Sequence, residues 1–318
     1  MRRSWFARLA SFLVMIYPLL AGCMSFHSGP LPGEPKTATF ATIDGVRVRY
    51  VDIGEGSPVV FLHGFASSLS VWDDLVHETA KTHRVLALDL KGFGWTDRPE
   101  GDYSPAAQAA LVLHLMNARK VDRAAIVGHS WGASVALAMA LMAPARVSRL
   151  ALYDAWVYEE QLPPTFYWAR ADGLGEAIFG LFYNQRVEDK IALAFFDKKF
   201  VTQKLVDATE QALERPGTTA AALAAVRGQR YSRVEERYKE IQQPTLLLWG
   251  REDRVTTLAY GERLANELAH ARLVVYPRCG HFPMVEARGP STTDLLSFLA
   301  NDAPASDAKA LATPGQGS

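Results

Sequence analysis

Ser130 stands at the centre of Gly128-His129-Ser130-Trp131-Gly132. A serine hydroxyl attacks a carbonyl only when a base accepts its proton during the attack, so the serine needs an imidazole within hydrogen-bond reach. His281, in Gly280-His281, is the candidate: it can act first as general base and then as general acid. A carboxylate must hold that imidazole and stabilise its charged form. Asp253, in Trp249-Gly250-Arg251-Glu252-Asp253, is favoured for this role, and Asp154 is the rival. Glu252 lies one residue early, so its side chain should point elsewhere. Among the other histidines, His129 is expected to project away from Ser130, and His63 to organise its own loop. Cys279 offers a second nucleophile two residues before His281. Close neighbours on a tight loop rarely face one another, which leaves Ser130 the better placed.

Each of these residues follows a short apolar run. Arg123–Val127 reads as a buried strand before Ser130, and Ala133–Ala143 as an alanine-rich helix ended by Pro144. A serine on such a strand-to-helix turn has strained backbone, and the flanking glycines let strand and helix approach closely. Val59–Leu62 precedes His63-Gly64-Phe65, Thr245–Leu248 precedes Trp249-Gly250, and Arg272–Tyr276 precedes Gly280-His281. Ala38–Ile43 and Val46–Ile53 alternate around Asp44-Gly45, a hairpin signal. Helical segments at Val71–Lys81, Pro105–Ala118, Ala133–Ala143, Leu258–Leu268 and Pro290–Leu299 interleave with the strands. This predicts an α/β fold, a mainly parallel sheet with helices on both faces.

The order Ser, Asp, His, each just past a strand, resembles the α/β-hydrolase family in its lidded serine esterase, lipase and carbon–carbon-bond hydrolase branch. The resemblance covers Ala38 to Asn301. It includes Asp89-Leu90-Lys91-Gly92-Phe93-Gly94-Trp95-Thr96-Asp97-Arg98-Pro99, similar to the glycine-rich loop this branch carries after its fourth strand. It implies Ser130, Asp253 and His281 as catalytic residues, with the backbone N–H groups of Phe65 and Trp131 as the oxyanion hole. It also implies a helical lid over the site, inserted after strand 6. Ninety residues lie between Asp154 and Thr245 with helical patterning, and aromatics from Trp156 to Phe196 crowd the first half. Most of these aromatics should pack as core and some should face the substrate. The bulk of Trp131 should narrow the pocket. Epoxide-hydrolase and haloalkane-dehalogenase branches carry aspartate in place of the nucleophile, so Ser130 argues against both.

Hydrolysis of an apolar carboxylic ester through an acyl-enzyme is the leading reading. A carbon–carbon hydrolase or an aminopeptidase would use the same triad, and a catalytically silent binding protein could share the fold. No cofactor or metal is called for. Lysine plus arginine equals aspartate plus glutamate at 34 each, which offers nothing to a nucleic acid.

The first residues read as an export signal. Arg2, Arg3 and Arg8 precede the apolar Leu9–Leu20, which is short for a membrane span, and Leu20-Ala21-Gly22-Cys23 resembles the bacterial lipoprotein box. Arg2-Arg3 gives only a weak twin-arginine match. Cleavage before Cys23 and lipid on its sulfur would make the chain an exported, membrane-anchored lipoprotein, with Cys279 left as a lone thiol. The expected organisation is a signal peptide at 1–22, a lipidated Cys23 and flexible tether at 23–37, and a first core part at 38–154. A lid at 155–240, a second core part at 241–301 and a disordered tail at 302–318 complete it.

Overall fold

The strand pattern closes into one sheet. The computed structural model describes residues 24–300, so residues 1–23, Cys23 among them, and the tail at 302–318 lie outside the described residues. The strands are β1 (Thr39–Ile43), β2 (Val46–Ile53), β3 (Pro58–Leu62), β4 (Arg84–Leu88), β5 (Ala124–His129), β6 (Val147–Tyr153), β7 (Thr245–Gly250) and β8 (Ala271–Tyr276). Their spatial order is β1-β2-β4-β3-β5-β6-β7-β8. The β1–β2 and β2–β4 pairs are antiparallel and the others parallel. Asp44 and Gly45 both take positive φ in the β1–β2 turn, which fits the two-residue hairpin their sequence predicts.

Both faces of the sheet are covered. Along β3, Val60 and Leu62 join one core cluster with helices Pro105–Ala118 and Trp131–Met142, while Val59 and Phe61 join another with Trp72, Leu295 and Leu299. Alternate side chains of a strand leave on opposite faces, so a central strand buried on both sides is apolar throughout. All of the catalytic candidates follow the carboxyl ends of parallel strands, where ligands bind in open α/β sheets.

Between β6 and β7 the chain forms helices at Pro164–Ala169, Leu174–Phe182, Val187–Ala194, Gln203–Leu213 and Thr218–Gly228. Ala169, Phe179, Ala222, Leu223 and Val226 give this layer a small core of its own.

The expectation of a flexible tether needs correction for residues 24–37. His27 and Arg98 exchange backbone hydrogen bonds at 2.9 and 2.7 Å, and Gly29 N–H donates to Asp97 Oδ1 at 2.9 Å. Arg47 Nη1 and Nη2 each donate to a Glu34 carboxylate oxygen at 2.6 Å, Leu31 is buried, Phe26 stacks on Tyr103, and Met24 packs against the lid core. The Pro/Gly/Ser composition that disfavours helix and strand does not prevent docking. The segment lies across the Asp89–Pro99 loop as a strap.

Candidate active site

Ser130 caps the helix Trp131–Met142 with φ 51° and ψ −120°, a left-handed backbone costly for a residue with a Cβ. The main chain is held there by Ser130 N–H to the Tyr153 carbonyl at 2.9 Å and by Trp156 N–H to the Ser130 carbonyl at 3.1 Å. The flanking glycines are required by contact: a Cβ on Gly132 would sit 2.3 Å from the Leu62 carbonyl oxygen, and one on Gly128 2.7 Å from that of Gly132.

His281 Nδ1 lies 2.8 Å from Asp253 Oδ2, both residues buried. A carboxylate accepts there, so Nδ1 carries the proton and Nε2 is left as the acceptor. Asp253 Oδ1 also accepts from the Val255 and Thr256 N–H groups, at 2.7 and 3.1 Å, and Thr256 Oγ1 donates to Oδ2 at 2.7 Å. Burial alone would raise the Asp253 carboxyl, but the charge and hydrogen bond of His281, with those of Thr256 and Val255, outweigh it and hold it below its ordinary range.

Asp154 is the neighbour rather than the partner. Its Oδ1 accepts from Gly250 N–H at 2.9 Å, and its Oδ2 is buried without a partner. Burial, then the negative charge of Asp253, pushes its carboxyl well above the usual range, so it stays protonated where Asp253 is ionised. Side-chain atoms of Asp154, Asp253 and His281 all lie within 4.8 Å of one another.

The proposed oxyanion donors are Phe65 and Trp131. Among the described residues neither backbone N–H donates to a protein acceptor. Trp131 opens its helix, where the N–H groups and the positive end of the dipole are free for an anion. His63 sets the Phe65 loop: its Nδ1–H donates to the Gly64 carbonyl at 2.7 Å and its Nε2 accepts from Leu90 N–H at 2.9 Å. Burial holds this imidazole neutral, as that pairing requires. Asp89 then braces the next loop, accepting from Leu69 and Trp95 N–H groups at 2.7 and 2.8 Å.

The structure brings Ser130 and His281 into one locality without a direct hydrogen bond between the Ser130 hydroxyl and His281. Such contacts are often long before substrate arrives. The lid reaches the same locality. His281 N–H donates to the Ala194 carbonyl at 2.7 Å, and Phe195 stacks on Phe282. Phe65 is ringed by Phe93, Trp131, Phe166 and Tyr183. Trp131 itself is fully buried. The buried Cys279 thiol is pushed far up by desolvation, which keeps it protonated and inert.

Thr256 went unnoticed in the sequence, as did the grip of His129 on the His281 carbonyl at 2.8 Å. Asp253 followed three residues later by a hydroxyl side chain is a turn signal that could have pointed to Thr256.

A sheet of this order with nucleophile, base and acid candidates beyond its strands defines a hydrolase class. A family model described as the alpha/beta hydrolase fold matches residues 57–287, and the chain belongs to that family. It is 31% identical over 269 residues to a 2-hydroxy-6-oxo-2,4-heptadienoate hydrolase of Pseudomonas putida, covering 80% of this chain and 94% of that protein. The structure of a meta-cleavage product hydrolase from Pseudomonas fluorescens superposes with a TM-score of 0.72 at 28% identity, over 82% of this chain and 97% of that one. A solved N-acyl homoserine lactone degrading enzyme is also 28% identical, with a TM-score of 0.70, over 82% of this chain and all of the other. The protein is thus an α/β-hydrolase with homologues in the carbon–carbon hydrolase branch.

Proposed function

We propose that the protein is a serine hydrolase that cleaves an apolar carboxylic ester through an acyl-enzyme. The observation that carries this is the Asp253–His281 pair at 2.8 Å beside the strained Ser130 and two unengaged N–H donors. Ser130 Oγ attacks the ester carbonyl while His281 Nε2 takes its proton. The tetrahedral oxyanion is received by the Phe65 and Trp131 N–H groups, each worth about 3 kcal/mol by analogy with known oxyanion donors. His281 returns the proton to the departing alcohol, and water, deprotonated by the same imidazole, then releases the acid and regenerates Ser130. Asp253 keeps the proton on Nδ1 throughout.

The aromatic ring around Phe65 favours an uncharged substrate. Arginines near the lid base are already committed: Arg98 to Thr218 and to the Thr96 and Gly94 carbonyls, Arg170 to Glu159, and Arg227 to Glu176. A lactone is a cyclic ester, so the lactone-degrading relative supports the same reading. Carbon–carbon cleavage is the second reading, favoured by the relatives named for dienoate and muconate semialdehyde substrates. Parallel assays of p-nitrophenyl esters of graded chain length and of a 2-hydroxy-6-oxo-dienoate separate the two. Higher kcat/KM for the esters supports the ester reading, and the reverse order replaces it.

The Leu20-Ala21-Gly22-Cys23 sequence supports export and lipid attachment at Cys23. Metabolic labelling with a fatty-acid analogue tests it: incorporation should vanish in Cys23→Ser, and equal labelling would rule the anchor out.

A further inference from the structure

The large apolar side chains left exposed are concentrated in one region. Of eight among the described residues, seven fall between Tyr167 and Phe196, and only Met142 lies elsewhere. Scattered exposed apolar residues are ordinary, whereas such concentration marks a surface that meets something apolar. Leu174 and Leu181 are seven residues apart on the helix Leu174–Phe182, two turns along the same row, and Phe182 stands beside them. Within that helix Gly175 and Phe179 are buried. Trp168 from the preceding helix and Leu193 and Phe196 from the following segment are exposed as well. Lys190 Nζ donates to the Phe182 and Tyr183 carbonyls at 3.3 and 2.8 Å, which holds the helix Val187–Ala194 against the end of Leu174–Phe182.

Met24, the first described residue, sits against the lid. It packs against the lid cluster that holds Phe179 and Leu223, and lines one small cavity with Glu176 and another with Asn184. The first described residue therefore sits beside the Leu174–Phe182 helix. The residue before Met24 is Cys23, and the apolar segment Leu9–Leu20 precedes it. With no free tether, an anchor there brings a bilayer directly to this face.

We propose that the outer face of the lid, centred on Leu174, Leu181 and Phe182, is a docking surface for the lipid bilayer. The proposal rests on the anchored reading for the direction from which the bilayer arrives. One helix then separates lipid from site: Leu181 and Phe182 face outward, while Phe179 and the adjoining Tyr183 pack inward toward the aromatics around Phe65. The substrate class this favours is an ester already dissolved in the membrane. Between Phe182 and Phe200 four basic residues (Arg186, Lys190, Lys198, Lys199) meet three acidic ones (Glu188, Asp189, Asp197), so apolar contact rather than anionic lipid supplies the adhesion.

The test uses the full chain reconstituted into phosphatidylcholine vesicles, with Phe182→Cys carrying an environment-sensitive fluorophore. Asp122→Cys, exposed just before the amino end of β5, opposite the strand ends that carry the catalytic candidates, is the control, and wild type gives the labelling background. The probe at 182 should shift to the blue and be quenched at least twofold by nitroxide-labelled phosphatidylcholine, while the probe at 122 should do neither. Three results overturn the proposal: no flotation with vesicles, a water-exposed probe at 182, or a dry probe that lipid nitroxide does not quench. The last would mean that residues 1–23 or a second copy of the chain covers the face. The readout needs no turnover, so its failure is distinct from failure of the hydrolase reading, and fatty-acid labelling scores the anchor separately.

Discussion

His129 Nε2–H donates to the main-chain carbonyl of His281 at 2.8 Å, so the residue beside the nucleophile grips the backbone of the proposed base. The two rings lie 4.7 Å apart, and burial followed by the nearby His281 pushes His129 well below its ordinary value, keeping it neutral. Its Nδ1 is buried without a partner. His129 is thus a positioning residue for His281.

Removing that grip should cost about one ordinary hydrogen bond's worth of alignment. We expect His129→Ala to lower kcat about tenfold and leave KM near wild type. Steady-state kinetics on a soluble ester checks this, and a change confined to KM would contradict it.

Asp253 and Asp154 should separate cleanly. Asp253→Asn leaves the imidazole in the wrong tautomer and should lower kcat by about 10⁴-fold, whereas Asp154→Asn replaces an already neutral group and should cost less than about tenfold. The reverse order in kcat would move the acid to Asp154.

The same two residues have opposite effects on stability against pH. Asp154 has a raised carboxyl, so the folded state binds its proton more tightly than the unfolded chain does. Its stabilisation is full below the unfolded value near 3.9 and is lost as pH rises toward the folded value. Asp253 is lowered, so its contribution is present above about 3.9 and is lost as pH falls through the folded value. Asp154→Asn should therefore raise Tm relative to wild type more at pH 8 than at pH 5. Calorimetry at the two pH values checks the sign, and an equal shift at both would show that Asp154 does not titrate between them.

Gly132→Ala places a Cβ 2.3 Å from the Leu62 carbonyl oxygen and 2.5 Å from that of His63. Backbone on both sides leaves no flexible atom to yield, so the nucleophile helix must shift away from the oxyanion loop. A loss of about 1–3 kcal/mol of stability is expected, with a large fall in kcat. A variant with wild-type Tm and kcat would show that the helix has room there.

The catalytic candidates were legible because their residue types, chain order and position after apolar strands are local signals. The sheet was legible for the same reason, since strand and helix periodicities differ. The strap was not. Its bonds join His27 to Arg98 and Glu34 to Arg47, and composition encodes no such pairings. The partner of His129, the His281 carbonyl, lies 152 residues away in sequence, beyond any local signal. Of the lid aromatics, Trp156, Tyr158, Phe179 and Phe195 are buried, whereas Tyr167, Trp168, Phe182 and Phe196 face outward, a split that depends on how short helices pack.

The claim that Ser130 is the nucleophile is tested most directly by covalent capture. A fluorophosphonate incubated with the full chain should form a single adduct, located by peptide mass spectrometry on Ser130, with ester turnover lost in proportion to labelling. Ser130→Ala should show neither adduct nor turnover while keeping the wild-type Tm. Turnover persisting in folded Ser130→Ala, or an adduct on another residue, would contradict the serine mechanism.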